Sequence, residues 1–370
     1  MNTEHFDVIV VGAGISGISA GYHLNTMSPD RSYAILEGRP ALGGTWDLFR
    51  YPGIRSDSDM HTLGFCFKPW KAAKSIADGP AILEYLHETV TEFGIDQHIR
   101  FNHRVQGAQW STDDAQWTLT VDHDGTPTTY TCGYLFMCSG YYSYKGGHDP
   151  EFPGRENFAG TIVHPQKWPE DLDYAGKKIV VIGSGATAVT LVPAMAETAG
   201  HVTMLQRSPT YMASRPDTDA IANAMRRVLP DKVAYNATRW KNVLLGNLLY
   251  KKTRDDPEKV KDKLLTMVRD ELGPGYDIET HFTPTYNPWD QRLCLVPNGD
   301  LFNAMKAGRA SVVTDHIESF TETGIALKSG DHLEADIIVT ATGLQLVTVG
   351  EMDFTVDGTP VDFAETWTYK

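Results

Sequence analysis

The pattern Gly-x-Gly-x-x-Gly/Ala occurs twice in this chain, as Gly12-x-Gly14-x-x-Gly17 and as Gly183-x-Gly185-x-x-Ala188, each time directly after a short apolar run. A strand that turns tightly into a helix needs glycine where a side chain would block the turn, and a small residue where helix and strand pack closely. Residues 6–11 and 178–182 supply the strands, and 15–24 has the small and apolar residues of a packed helix. The stretches downstream of the two copies also match. A second strand (33–36, then 202–205) is followed by a hairpin signal (Asp124-Gly125, then Ser329-Gly330). A further strand (134–138, then 337–340) ends in Ser139-Gly140 or Ala341-Thr342-Gly343. The chain therefore reads as a loose internal duplication of one unit: an α/β protein with two Rossmann-like dinucleotide-binding domains and a helical insertion. Expected boundaries are 1–145, with 344–370 returning to it, for the first domain, and 146–215 with 289–343 for the second. The insertion, 216–288, is rich in helix formers and charge and has a break at Gly273-Pro274-Gly275.

With 370 residues and 41% hydrophobic composition, the chain can bury the cores of two or three domains. Its net charge of −14 argues against a nucleic-acid partner, so any phosphate must be gripped locally. Cys66, Cys132, Cys138 and Cys294 form no C-x-x-C pair and no metal-ligand cluster. They read as buried thiols of a cytoplasmic protein, with neither a dithiol centre nor a metal site expected. No apolar run reaches the roughly 18 residues of a membrane span. The stretch 243–250, followed by Lys251, Lys252 and Arg254, reads as core packing of the insertion, against the rival of a membrane-surface or partner helix. Oligomeric state is not readable.

The pyrophosphate of a dinucleotide is held by backbone N–H groups at a helix N-terminus, which explains the bare first two positions of each motif. In the first copy the expected contacts are Gly12, Gly14, Ile15, Ser16 and Gly17; Glu37 lies twenty residues beyond Gly17, where an acid binds ribose hydroxyls. A carboxylate there suits FAD, whose adenosine ribose keeps two free hydroxyls. The second copy offers Gly183, Ser184, Gly185, Ala186, Thr187 and Ala188, but its second strand ends in Gln206-Arg207-Ser208. An acid at that place would face the 2′-phosphate of NADPH, costing about 4 kcal/mol per unit-charge pair at 4 Å and an effective dielectric near 20. Arg207, with Ser208 beside it, reverses the sign and forks onto phosphate, so this site is assigned to NADPH.

Between the two motifs lies Phe158-x-Gly160-x-x-x-His164-x-x-x-Trp168-Pro169, and after the first lies Gly43-Gly44-Thr45-Trp46, running on to Arg50-Tyr51-Pro52-Gly53-Ile54-Arg55-Ser56-Asp57. With the two glycine motifs, these stretches resemble the class B flavin monooxygenases, and within them the Baeyer–Villiger type. Residues 205–211 and 287–294 are most similar to the mycobacterial enzymes that activate thioamide prodrugs such as ethionamide. The resemblance implies an order of events: NADPH reduces the flavin, dioxygen adds at its C4a carbon, and the peroxyflavin oxidises a ketone, sulfide or thioamide. It places Gly44, Thr45 and Trp46 at the flavin. Arg292 matches the family's active-site arginine, and Asp57 matches the carboxylate that pairs with it and also borders the cofactor. Trp46, Tyr51 and Phe67 are candidates to line the cavity or simply the core. His164 reads as coupling domain motion to nicotinamide position, in preference to direct proton transfer.

Two departures from the family pattern shape the expectation. Gln291 stands where many relatives have a lysine that helps hold the NADP phosphate, which shifts that duty to Arg207. The sequence stops at Lys370, while relatives run on well beyond, so an incomplete flavin domain is expected. The rivals to an oxygen-inserting enzyme are an NADPH-dependent reductase of disulfide or quinone type and an inactive remnant.

Overall fold

The apolar runs ahead of the glycine motifs become strands Glu4–Val11 and Lys178–Ile182, each flanked on both sides by parallel partners. Residues 3–366 are described by the computed structural model, and contacts divide them into two units. The first takes the chain up to Leu48, Pro80–Gly146 and the chain from Leu344 on; the second takes Phe49–Gly79 and Gly147–Gly343.

In the first unit eight strands form one sheet. Ile99–Arg100, Tyr33–Leu36, Glu4–Val11 and Thr126–Met137 run parallel, and the sheet continues antiparallel through Gln116–His123 and His103–Ser111; Asp353–Val356 then joins in parallel and pairs antiparallel with the edge strand Thr359–Pro360. The sequence pattern starts a strand at 134, whereas the structure makes one strand of Thr126–Met137. Gly133 sits inside it without a break, because the strand serves two ladders: its first half pairs antiparallel with Gln116–His123 and its second half parallel with Glu4–Val11. The Asp124-Gly125 signal closes the first of these ladders with φ of 49° and 81°, the left-handed pair that a two-residue hairpin turn requires. Ile9, Val11, Ala34 and Leu36 point to one face, where they meet Val105, Leu119 and Val121.

The second unit is built on a five-stranded parallel sheet. Its order is Ala310–Thr314, His201–Gln206, Lys178–Ile182, Ile337–Thr340, Thr161–Val163. Alternation along these strands feeds two cores. Ile179, Val181, Val202, Met204 and Val339 face the helices Ala186–Met195 and Asp300–Lys306, while Val180, Ile182, Leu205 and Ile338 face Phe320, Ile325 and Leu327 of a small antiparallel sheet. A parallel sheet covered on both faces explains why its strands read as continuous apolar runs. The insertion forms helices Ala220–Val228, Asp231–Asp255, Pro257–Leu272 and Ile278–Phe282, with the break falling at Gly273, φ 84°.

Three expectations are corrected. Residues 49–79, expected in the first domain, belong to the second unit, because their polar groups are satisfied there. The amides of Ser75 and Ile76 donate to Asp217 O, Arg55 pairs with Asp300, and Gly53 lies so close to the helix Ala186–Met195 that a Cβ would stand 2.6 Å from that of Ala194. Cys66 is exposed rather than buried, unlike Cys132 and Cys294. The apolar stretch in Asp231–Asp255 is not core: Leu244, Leu245, Leu248, Leu249 and Tyr250 are all exposed, since the helix buries only Ala234, Tyr235, Thr238 and Thr253.

Candidate active site and nucleotide cradles

Gly12 has φ 102°, and a Cβ on it would stand 2.5 Å from Cys138 O; its amide donates to Leu36 O. Gly183 repeats this arrangement, with φ 132°, a Cβ position 2.4 Å from Ala341 O, and an amide donating to Leu205 O. At both places the turn is pressed against the end of the neighbouring strand, and only glycine fits. The third positions differ. A Cβ at Gly17 would lie 1.9 Å from Gly12 O, whereas Ala188 carries a Cβ at full burial, so the first helix approaches its strand more closely. The second positions are open by contrast. Gly14 would meet only Gly44 backbone, with Cα at 3.6 Å, and Gly185 would meet nothing within 4 Å. Each of these caps a helix, Ile15–Met27 or Ala186–Met195, with extended backbone and no side-chain cap, so first-turn amides face free space. Bare amides at a helix N-terminus that no side chain covers fit a pyrophosphate in both units.

In the first unit Glu37 is buried, accepting from the amides of Ala13 (2.8 Å) and Arg39 (3.0 Å). Burial pushes its carboxyl above the usual range, against the pull of those two N–H groups. Each oxygen keeps acceptor capacity, and Glu37 borders a cavity of about 260 Å³ beside Gly12, bounded also by Arg39, Arg104, Tyr144 and Glu351. Arg39 pairs with Asp47 at 2.6 Å and donates to Gly44 O, tying the Gly43-Gly44 loop to the acid; Gly43 N donates to Ala13 O. Gly44 thus lies against Gly14. Ser16 and Thr45 are exposed; Ile15 and Trp46 are half-buried. Arg39, Arg104 and Tyr144 do not emerge from the sequence pattern. Arg39 follows the acid by two residues and has a local signal, but Arg104 and Tyr144 arrive from later strands and loops with none.

In the second unit Ser184 Oγ donates to Ser208 O (3.2 Å) and meets Thr210 Oγ1 (3.0 Å), which joins the glycine turn to the end of strand His201–Gln206. Arg207 and Ser208 follow that strand and are exposed, and the Arg207 guanidinium has no hydrogen bond or ion pair among the described residues. Arg292 pairs with Asp57, two residues whose side chains are each a little over half exposed. Two contacts place this pair beside the second turn. Cys294, two residues on, directs its thiol to Ser184 O at 3.8 Å, and the hydroxyl of Tyr51 bonds the side chain of Thr187 in the first helical turn. Burial pushes the Tyr51 phenol up, against the pull of the Thr187 side chain. Phe67 instead stacks on Phe65, with ring centres 4.8 Å apart.

His164 is held at both ring nitrogens. Nδ1 accepts from Gln166 N (3.2 Å), which leaves Nε2 to donate to Gly343 O (3.3 Å). Its ring fills the space over Gly147, where a Cβ would stand 2.0 Å away, and His148 N also donates to Gly343 O. The imidazole therefore clamps together the two ends of the 147–343 segment. Burial lowers its pKa, and with both nitrogens engaged it is badly placed as a general base. Trp168 packs edge-on to Tyr174, and Gly160 is bare because a Cβ would stand 2.3 Å from Asp336 O.

The flavin-binding monooxygenase-like family matches residues 75–349, and an NAD(P)-binding Rossmann-like domain matches 10–78. The FAD-containing monooxygenase EthA of Mycobacterium tuberculosis is 58% identical over 369 residues, covering 100% of this chain and 76% of that protein. EthA of Mycolicibacterium smegmatis is also 58% identical, with 100% and 75% covered. The fold is shared with a solved oxidized steroid monooxygenase bound to NADP (TM-score 0.79, 24% identity, 95% of this chain and 73% of that one). It is shared too with an open structure of cyclohexanone monooxygenase (TM-score 0.78, 21% identity, 97% and 78%). With a family match over most of its length and relatives this similar along all of it, the chain belongs to the flavin-binding monooxygenase-like family.

Proposed function

We propose that the chain is an FAD- and NADPH-dependent monooxygenase that inserts one atom of dioxygen into a ketone or oxidises a sulfide or thioamide. The observation that carries this reading is the Arg292–Asp57 pair beside the second glycine turn: a fixed cation where a nicotinamide nucleotide is expected. When bound, FAD supplies the redox chemistry, taking two electrons from NADPH so that dioxygen delivers one oxygen atom to the substrate and the other to water.

The protein's own groups have separable duties. The amides behind Gly12-x-Gly14 hold the FAD pyrophosphate, with Ile15, Ser16 and Gly17 forming the turn, and Glu37 accepts from its ribose hydroxyls. Gly44, Thr45 and Trp46 border the same cofactor. The turn Gly183 to Ala188 holds the NADPH pyrophosphate, and Arg207 with Ser208 holds the 2′-phosphate. Arg292 provides a permanent positive charge for negative charge developing on oxygen, where one charge-assisted hydrogen bond contributes roughly 1.5–3 kcal/mol. Asp57 aims the guanidinium; as a half-exposed pair it adds at most about 1 kcal/mol to stability, so its value is orientation. A dithiol reductase fits less well, because burial pushes Cys132, Cys138 and Cys294 up to about 11, leaving them thiols at neutral pH.

The test is isotopic. The purified chain, supplied with FAD, NADPH and a linear methyl ketone or an aryl methyl sulfide under ¹⁸O₂, should give an ester or sulfoxide carrying one labelled oxygen. NADPH oxidation that yields only peroxide, or that needs a disulfide or quinone, would count against the proposal.

A further inference from the structure

We infer that the helix Asp231–Asp255 docks this protein on an anionic lipid surface. Val233, Trp240, Leu244 and Leu248 stand seven, four and four residues apart, which aligns them along one side of the helix, and all four are at least half exposed. Ala234, Tyr235 and Thr238 on the opposite side bury the helix against its own unit. Toward the C-terminal end the apolar surface widens. At 100° per residue, Leu244, Leu245, Leu248, Leu249 and Tyr250 cover more than half of the circumference, and every one is exposed. A folded partner buries one face of a helix; a fluid headgroup layer closes around a protruding one, taking its apolar side in by about 5–10 Å. Ile221 and Val228 of the preceding helix are exposed as well and enlarge the patch.

Charge selects the lipid. The chain carries −14 overall, yet residues 219–256, the two helices with their ends, hold eight lysines and arginines against four aspartates, a local +4. Several of these are spent on the protein itself: Arg226 and Arg239 donate to carbonyls, Lys241 pairs with Asp219, and Arg254 pairs with Asp290. Arg227, Lys232, Lys251 and Lys252 are exposed beside the apolar stripe. A cationic collar around exposed leucine and tryptophan is the pattern of an interfacial helix, and an acidic protein needs such a collar to approach a negative surface at all. No helix among the described residues is long and apolar enough to cross a membrane, so the contact is peripheral.

The experiment is co-sedimentation of the full chain with vesicles of phosphatidylglycerol and phosphatidylcholine in equal parts, against phosphatidylcholine alone, at low and high salt. Binding should require the anionic lipid and weaken with salt. It should drop roughly fivefold for each lysine neutralised in Lys251→Gln and Lys252→Gln, and at least as far in the double variant Leu244→Ser/Leu248→Ser. All of these positions are exposed, so the thermal midpoint should not move. Failure to bind anionic vesicles overturns the proposal, as does binding that both sets of variants leave unchanged. A dimer in light scattering that the leucine variant dissolves, without vesicle binding by the parent, would instead identify the face as a contact between copies of this chain.

Discussion

Single residues divide here into those that hold the protein and those left facing outward. Arg207 and Arg292 illustrate the outward set: one has no protein partner among the described residues, and the other has an exposed carboxylate. Replacing Arg292 with alanine should slow oxygen insertion roughly 10- to 150-fold, the equivalent of 1.5–3 kcal/mol. The dissociation constant for NADPH should hardly change, and product formation at saturating NADPH is the readout. Arg207→Ala should have the opposite profile, raising KM for NADPH by about tenfold or more while KM for NADH stays level. A parallel rise for both nucleotides would remove Arg207 from the phosphate site. Of these roles the sequence disclosed the residue types and their places in the motifs. It did not disclose that Tyr51 reaches Thr187 or that Cys294 touches Ser184, contacts made across more than a hundred residues of chain.

Elements behave as the turns dictate. Gly183 and Gly185 look alike in the motif but differ in structure, the first jammed against Ala341 at φ 132° and the second facing open space at an ordinary φ. Gly183→Ala should therefore cost folding stability, on the order of 1–3 kcal/mol. Gly185→Ala should leave the unfolding midpoint in place and reduce NADPH affinity, because its methyl would enter the open space that the proposed function assigns to the nucleotide. Equal loss of stability in both would contradict this division. His164→Ala addresses the connector: losing the donor to Gly343 O and the ring over Gly147 should raise hydrogen exchange at 147–148 and 343 while leaving the pH dependence of catalysis unchanged. A general base would shift that profile instead. The hairpins were legible because Asp124-Gly125 needs two left-handed residues, a local demand. The single strand Thr126–Met137 was not, since pairing with two different partners is what keeps it straight.

Over the whole molecule, acid should be destabilising. His61, His103, His164 and His281 have pKa values lowered chiefly by burial, so the folded state prefers their neutral forms. Their contribution is present above about 6.5 and is lost as pH falls through the lowered values. Asp7, held down to about 2 by Ser32 and Arg31, adds a loss in the same direction at lower pH, whereas Glu37, pushed up by burial, favours the folded state at low pH and opposes them. The unfolding midpoint should fall between pH about 7.5 and about 5.5, and His61→Gln should flatten that slope. A midpoint that rises on acidification would contradict the burial of these rings. At this scale sequence and structure divide the work by range. The sequence alone determined the two strand–turn–helix units, their duplication, the acid after one and the arginine after the other, because glycine turns and strand periodicity act over a few residues. Tertiary structure decided that residues 49–79 join the second unit, which contacts seat the Arg292–Asp57 pair beside Ser184, that His164 is held by Gln166 and Gly343, and that the leucines of Asp231–Asp255 face outward. Each of these depends on which distant surface is left to cover a side chain, and no local pattern of residues carries that information.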